Sequence, residues 1–540
     1  MKAGSGSRRR IQSAIVAQLL AALFWGTAAQ TRAATPDPLR VRTDSGILEG
    51  ETFDSNPADM EFLGIPYAAP PTGDLRWRPP QARRSWTGVR KATAYGPACP
   101  QLPSTWLPEM LGRREMVTSE ACLYLNVWTT NLSGHPKQPV MVWIHGGGNV
   151  QGSQEWPPLG PVLARQGVVI VTINYRLGLF GYFSHPALTA ESPHLSSGNY
   201  GLLDQMAALR WVHDNIAQFG GDPDQVTVFG ASSGSLDVCD LLASPLAAGL
   251  FRGAIMQSGV CVDGLAPSLE HQEADGLRIA KDLGIESGPE ALKKLRALPA
   301  NELLDRAARE KDVDFNPVFD GWVFHEQPAL TFEHGRQAKV PVIVGSNADE
   351  VSIFASPIVG GQSYRPKTVA QYRQWLTQAF SAHANQVFAA YPAHADGEVP
   401  RSFGDMDTDS EFGFGAWLLA REVAGSGENA YLYNFTYLGS GKFRELGAFH
   451  SEESMLLSKK YWTSWARSPD DEKLSNLLIQ YWVQFAKRLN PDTAGAPPWP
   501  PYNPNTDRCQ ELGRNVGDMP TPRAARFKVF EEMLKEQLPR

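Results

Sequence analysis

Four short, mostly apolar runs recur along the middle of the chain, near 140–145, 168–174, 226–230 and 252–257. An unbroken Val/Ile-rich run is how a strand buried on both faces reads, and such strands belong to parallel sheets covered by helices. The four runs are therefore read as a central parallel sheet. Residues 267–310 are rich in Ala, Leu, Glu and Lys and predict helices. Residues 355–425 are aromatic and helix-like and are expected to wall one side of a cleft. Leu474–Arg488 has helical periodicity, 490–505 is a Pro-rich loop, and a last helix runs to about Leu538. A small N-terminal sheet is expected within residues 40–95. Strands interleaved with helices in this order predict an α/β architecture.

The third apolar run ends in Gly230-Ala-Ser232-Ser233-Gly234 and continues into a helix-like segment, Leu236 to Leu242. A serine between small residues at a strand-to-helix turn is held in a strained backbone conformation, and the turn lifts its hydroxyl off the sheet. The helix that follows points its free N-terminal amides at the same place. The first run ends in His145-Gly146-Gly147-Gly148-Asn149. A tight turn needs one or two glycines. Three in a row, at their cost in chain entropy, suit a place where backbone N–H groups approach a ligand.

A serine nucleophile needs a base and an acid, expected in the order serine, acid, histidine. The acid should close a strand, and Val342-Ile-Val-Gly-Ser-Asn-Ala-Asp-Glu350 offers one, with Asp349 and Glu350 just past it. Of the histidines after Ser232, namely His271, His325, His334, His383, His394 and His450, most stand in polar contexts. His450 lies in the small-residue turn Leu446-Gly-Ala-Phe-His-Ser-Glu, where an imidazole can face a cleft.

These segments give the chain a specific resemblance to the type-B carboxylesterases, the group that includes cholinesterases and para-nitrobenzyl esterases. Further matching stretches are Phe62–Tyr67, Leu75–Pro80, Ser119–Asn126, Asn174–Gly178, Gly198–Gln205, Phe219–Pro223 and Met256–Gly259, so the likeness covers most of the chain. It implies the α/β-hydrolase fold: a large central mixed sheet, helices on both faces and long loops forming a gorge. It implies carboxylester hydrolysis by Ser232, Glu350 and His450, with the amides of Gly147, Gly148 and Ser233 as the oxyanion hole and Glu453 in support. The family acts without cofactor or metal. Arg76 with Glu120, and Arg176 with Asp204, match positions that look like structural ion pairs. Cys99 and Cys122 match a family disulfide. Cys239 and Cys261, one on the helix after Ser232 and one past the next strand, could also pair, which leaves Cys509 over.

The chain departs from the family pattern in four places. Asn149 replaces an aromatic residue, Ala121 an aspartate, Ala231 a glutamate and Val351 a glycine. Losing a carboxylate and a ring near the serine makes the site more polar and less anionic, which suits a polar or anionic acyl group; neutral drift is the plain alternative. Asn149 and, on the loop that delivers His450, Lys442 and Arg444 are candidate donors to such a group. The plainer reading of both bases is as solvated loop charges.

Length and charge fit the same picture. A chain of 540 residues with 42% hydrophobic positions and a mean hydropathy of −0.29 can bury a large core, and one hydrolase domain over 34–540 is expected. Residues 1–33 read as a cleaved signal peptide, with basic Arg8–Arg10 ahead of an apolar Ile11–Trp25. The mature protein is then expected outside the cytoplasm, secreted or periplasmic, where disulfides persist. Losing Lys2, Arg8, Arg9, Arg10 and Arg32, with no acid, takes the net charge from −7 to about −12. That excess argues against nucleic acid or anionic lipid as partner and leaves a small-molecule ester. No second segment is long and apolar enough to span a membrane. The competing class is a non-catalytic binding module on the same fold, which turnover of a simple ester would exclude.

Overall fold

The computed structural model describes residues 39–103, 116–309, 313, 315–356, 364–460 and 467–539; the expected signal peptide lies outside them. Val41–Arg540 forms one compact unit. Its strands are β1 (Arg40–Thr43), β2 (Gly46–Glu49), β3 (Glu51–Thr52), β4 (Met60–Pro66), β5 (Val89–Lys91), β6 (Tyr124–Thr129) and β7 (Gln138–Ile144). They continue with β8 (Val169–Ile173), β9 (Gly221–Ala231), β10 (Gly253–Gln257), β11 (Val342–Asn347), β12 (Ala430–Phe435), β13 (Arg508–Leu512) and β14 (Val516–Pro520).

Eleven of these make one mixed sheet, in the order β14-β13-β12-β11-β10-β9-β7-β8-β6-β4-β3. From β8 to β13 the neighbours are parallel, and the two edges are antiparallel. The expected central run is this parallel part. Every residue of β8, β10 and β11 is buried, which is why the sequence showed no alternation there. With its surrounding helices this is the α/β-hydrolase architecture. Among helices of the described residues, none is long and apolar enough to cross a membrane.

The expected small N-terminal sheet is present as β1, β2 and β5, while β3 and β4 of the same segment join the large sheet. The reason is visible in β4, where Phe62 and Ile65 are fully buried and need the main core for cover. The Pro-rich loop does not lead straight to the last helix, because β13 and β14 intervene and extend the sheet beyond β12.

The helices that bear on the site are α1 (Tyr200–Asn215), α2 (Ser233–Ala243), α3 (Phe414–Gly425), α4 (Pro469–Arg488) and α5 (Ala524–Gln537). α4 starts five residues ahead of the expected Leu474, and its first turn shows why. The Ser468 hydroxyl accepts from the Asp471 amide while the Asp471 carboxylate accepts from the Ser468 amide, Pro469 fills the first helical position, and three acids sit in the first turn. Its buried Trp482 and Phe485 pack on the central core, and the Trp482 indole reaches Gln257 at the end of β10 (3.0 Å).

Both readable cysteine pairs are closed, Cys99–Cys122 and Cys239–Cys261, and Cys509 is a buried free thiol. The second bridge ties α2 to the segment after β10. Closing a loop of 22 residues contributes roughly 3 kcal/mol through the unfolded chain. Arg76–Glu120 (2.6 Å) and Arg176–Asp204 (2.7 Å) are the paired scaffold charges expected.

Candidate active site

β7 and β9 are neighbours in the sheet and β11 follows beyond β10, all parallel, so their carboxyl ends share the edge where open α/β sheets place their ligands. β9 runs into Ser232, whose backbone has φ 58° and ψ −130° and caps α2. A non-glycine residue there is strained, and the conformation is sustained by its surroundings. The Ser232 amide donates to the Gln257 carbonyl (2.8 Å) at the end of β10, so neighbouring strand ends hold the elbow.

The glycine segment after β7 passes against this elbow. A Cβ on Gly146 would stand 2.5 Å from the Ala231 carbonyl oxygen and 2.9 Å from the Ser232 Cβ. Gly147 has φ 123°, a conformation open only to glycine, and its carbonyl accepts from the amides of Val150 and Gln151, closing a turn. His145 is fully buried and stacks on Tyr175. Burial lowers its pKa to about 4, so it is a neutral part of the frame.

β11 delivers Asp349 and Glu350, and their neighbours separate the two carboxylates. The Asp349 carboxylate accepts from the Ala448 amide (3.0 Å) and fastens the histidine loop. Glu350 is fully buried; one oxygen accepts from the Asn347 amide (2.7 Å), and the other meets His450 Nδ1 at 2.6 Å. Of the two open readings, Glu350 is the one in contact with the imidazole. His450 Nε2 is buried and has no hydrogen-bond partner among the described residues. Burial acts to lower the His450 pKa, but the charge and hydrogen bond of Glu350, with Glu453 adding, outweigh it and raise the group above 6.5.

Behind Glu350 stands a second set of polar groups. Asn347 donates to the Phe449 carbonyl and to Glu453, each at 2.7 Å, and Gln257 donates to the other Glu453 oxygen at 3.0 Å. Burial first, and then the Glu350 charge, raise the Glu453 pKa. Glu453 therefore braces the loop from below, as its place three residues after His450 suggested.

The expected substrate donors fall otherwise. Asn149 is fully buried with its amide engaged by protein, so it does not face a substrate as expected; the φ of 57° turns it inward. Arg444 stands exposed on the turn Gly441–Leu446, and the Lys442 side chain lies outside the described residues.

Two aromatic walls escaped the sequence reading. Phe354 and Phe412 bring their ring centres to 5.2 and 4.9 Å from the His450 ring. Phe412 sits in a single π-helical turn, Asp409–Gly413, just before α3, a distortion common at functional sites. One point of the 355–425 segment thus does reach the site. Asp237 also escaped notice: an acid within the apolar run Leu236–Leu242 was a readable signal. Burial raises its pKa to about 7 against the hydrogen bonds it accepts.

The model of the carboxylesterase family matches residues 37–530. Fumonisin B1 esterase of Sphingopyxis macrogoltabida is 38% identical over 511 residues, covering 92% of this chain and 90% of its own. Carboxylesterase 1C of Rattus norvegicus is 33% identical, covering 82% and 83%. The medium-chain fatty acyl-CoA hydrolase precursor of Anas platyrhynchos is 34% identical, covering 86% of each. The chain belongs to the carboxylesterase family and is a carboxylic ester hydrolase.

Proposed function

We propose that this chain is an exported serine esterase that removes tricarballylic acid from fumonisin-type esters by a Ser-His-Glu acyl-enzyme mechanism. The observation that carries the mechanism is His450, with Nδ1 held by Glu350 at 2.6 Å and Nε2 left free for a serine proton. Ser232 attacks the ester carbonyl, and its proton passes to His450 Nε2. Glu350 keeps the imidazole in the tautomer that can accept and stabilises the charged form. The oxyanion is held by the amides of Gly147, Gly148 and Ser233; losing one such donor costs about 10²–10³-fold in rate. His450 then returns the proton to the leaving alcohol. Water, deprotonated by the same imidazole, releases the acid and restores Ser232. The atoms balance without metal or cofactor.

The substrate reading rests on the 38% identity to fumonisin B1 esterase and on the missing carboxylate at Ala231. A general carboxylesterase for short acyl esters is the second reading, favoured by carboxylesterases at 32–33% identity. The mature protein should turn over para-nitrophenyl acetate, and Ser232→Ala should fold yet lose activity by roughly 10⁴-fold or more. Appreciable turnover by that variant would remove Ser232 from its role. A kcat/KM for a tricarballyl ester no better than for a neutral short-chain ester would favour the second reading. No turnover of any ester by the wild-type chain would favour a binding module.

A further inference from the structure

The three oxyanion amides come from two separate segments. Gly147 and Gly148 follow β7, whereas Ser233 opens α2. All three must converge on one oxygen, so the distance between the segments has to be held closely, because an error near 1 Å costs about 10²-fold in rate. A side-chain bridge joins the two segments. Asn149, the residue after Gly148, donates from Nδ2 to an oxygen of Asp237 (3.1 Å) and towards Asn316 Oδ1 (3.3 Å). Asp237 lies on α2, four residues after Ser233, and its other oxygen accepts from Gln205 of α1 at 2.5 Å. The Asn149 carbonyl accepts from the Gly178 amide (2.6 Å), and its Oδ1 meets the Tyr175 hydroxyl (3.2 Å). Both ends of the bridge are thereby fixed in turn.

We propose that Asp237 is a positioning residue for ester hydrolysis, setting through Asn149 the distance between the Gly147 and Gly148 amides and the Ser233 amide. The proposal rests on the hydrolase reading above and deepens it.

Several observations favour this over a passive packing role. Asp237 and Asn149 are each fully buried. A buried carboxylate is costly, and an apolar residue at that point of α2 would be the more stable choice among Leu236, Val238 and Leu241. Asn149 has a left-handed backbone that asparagine tolerates better than most residues. The aromatic residue that the family resemblance places there could not make the same bond. The bridge also offers a conservative variant. Gln205 Oε1 has no hydrogen-bond partner among the described residues, so in Asp237→Asn the Gln205 amide can turn and accept from the new amide, leaving the Asn149 bond in place.

The test is a double-mutant cycle on the mature enzyme with para-nitrophenyl acetate, alongside thermal unfolding. Asn149→Ala and Asp237→Ala should each lower kcat by about 10- to 100-fold with KM within about threefold. The double variant should be no worse than the poorer single one. Asp237→Asn should recover at least about tenfold of the Asp237→Ala loss. Losses that multiply in the double variant would overturn the proposal, as would a folded Asp237→Ala with wild-type kcat. If Asp237→Ala does not fold, Asp237→Asn in the Asn149→Ala background must cause no further loss of kcat; a further loss there also overturns it. Lack of turnover by the wild-type enzyme would defeat the hydrolase reading and this proposal with it, whereas failed coupling defeats this one alone.

Discussion

The floor of the site and its rim are fixed by different things. On the floor, backbone geometry decides. Ser232 sits at φ 58°, Gly146 passes within a missing methyl of it, and Gly147 adopts a conformation closed to other residues. Every one of these groups lies within a few residues of a strand end. On the rim, side chains from distant segments decide. Phe354 follows β11, Phe412 lies in a π-turn before α3, and Arg444 stands exposed on a loop after β12. A backbone that must bend sharply restricts which residues can occupy it, so its chemistry shows in the sequence. A rim built by packing restricts its residues only through neighbours far along the chain.

The largest effect that tests this contrast belongs to the two adjacent acids. Glu350→Gln removes the carboxylate that orients His450 and should lower kcat by about 10³–10⁴-fold, as expected when a triad acid becomes an amide. Asp349→Asn keeps an oxygen to accept from the Ala448 amide and should cost no more than about tenfold. Steady-state rates on one activated ester compare them. A greater loss from Asp349→Asn would exchange the two roles.

Gly146→Ala comes next. The added methyl would meet the Ala231 carbonyl and the Ser232 Cβ, so the glycine segment or the elbow must shift. A displacement on the order of 1 Å should lower kcat by about 10²-fold, with a lower Tm. An alanine variant with wild-type kcat would show that the floor is less constrained than its backbone suggests.

The same contrast explains what could be read beforehand. The parallel strands from β7 to β11 were legible because their buried stretches leave largely apolar runs. β12 was missed although it is just as buried, because a short run such as Ala430–Phe435 beside a helix has no period of its own. β13 was missed for another reason. Its buried Gln510, close to the Tyr481 hydroxyl, makes the strand read as polar. At the site, Ser232, the glycines and the His450 turn were visible as local patterns. The choice of Glu350 over Asp349 came from resemblance, since adjacent acids look alike until the fold directs them apart. The inward turn of Asn149 depends on Asp237, 88 residues away, and no local pattern carries it.

The pH dependence sharpens the floor further. The neutral imidazole is the base, and Glu350 holds the His450 pKa above 6.5. The wild-type kcat/KM should therefore rise with pH along a limb whose midpoint lies above 6.5. In Glu350→Gln the carboxylate is gone while burial still opposes the charge, so the limb of the residual activity should move to lower pH. Stability follows the same sign. A folded pKa raised above the unfolded one stabilises below about 6.5 and loses that contribution as pH rises through the folded value. The Tm gap between wild type and Glu350→Gln should thus be wider at low than at high pH. A limb that stays in place would mean that Glu350 orients His450 without setting its charge.

The smallest effect is expected at the rim. Arg444 is exposed, and an exposed charge contributes about 0–1 kcal/mol to a pairing, so Arg444→Ala can change affinity by no more than about fivefold. If that charge meets a free carboxylate of the acyl group, the change falls on KM for an anionic ester and leaves a neutral short-chain ester alone. Added salt should then shrink the wild-type advantage, because screening acts on exposed charges first. The chain is net negative at −7, so bulk attraction cannot mimic the effect. Equal changes on both esters would mean that the Gly441–Leu446 turn acts by positioning His450. Its specificity would then have to come from side chains such as Phe354 and Phe412, which flank the imidazole directly.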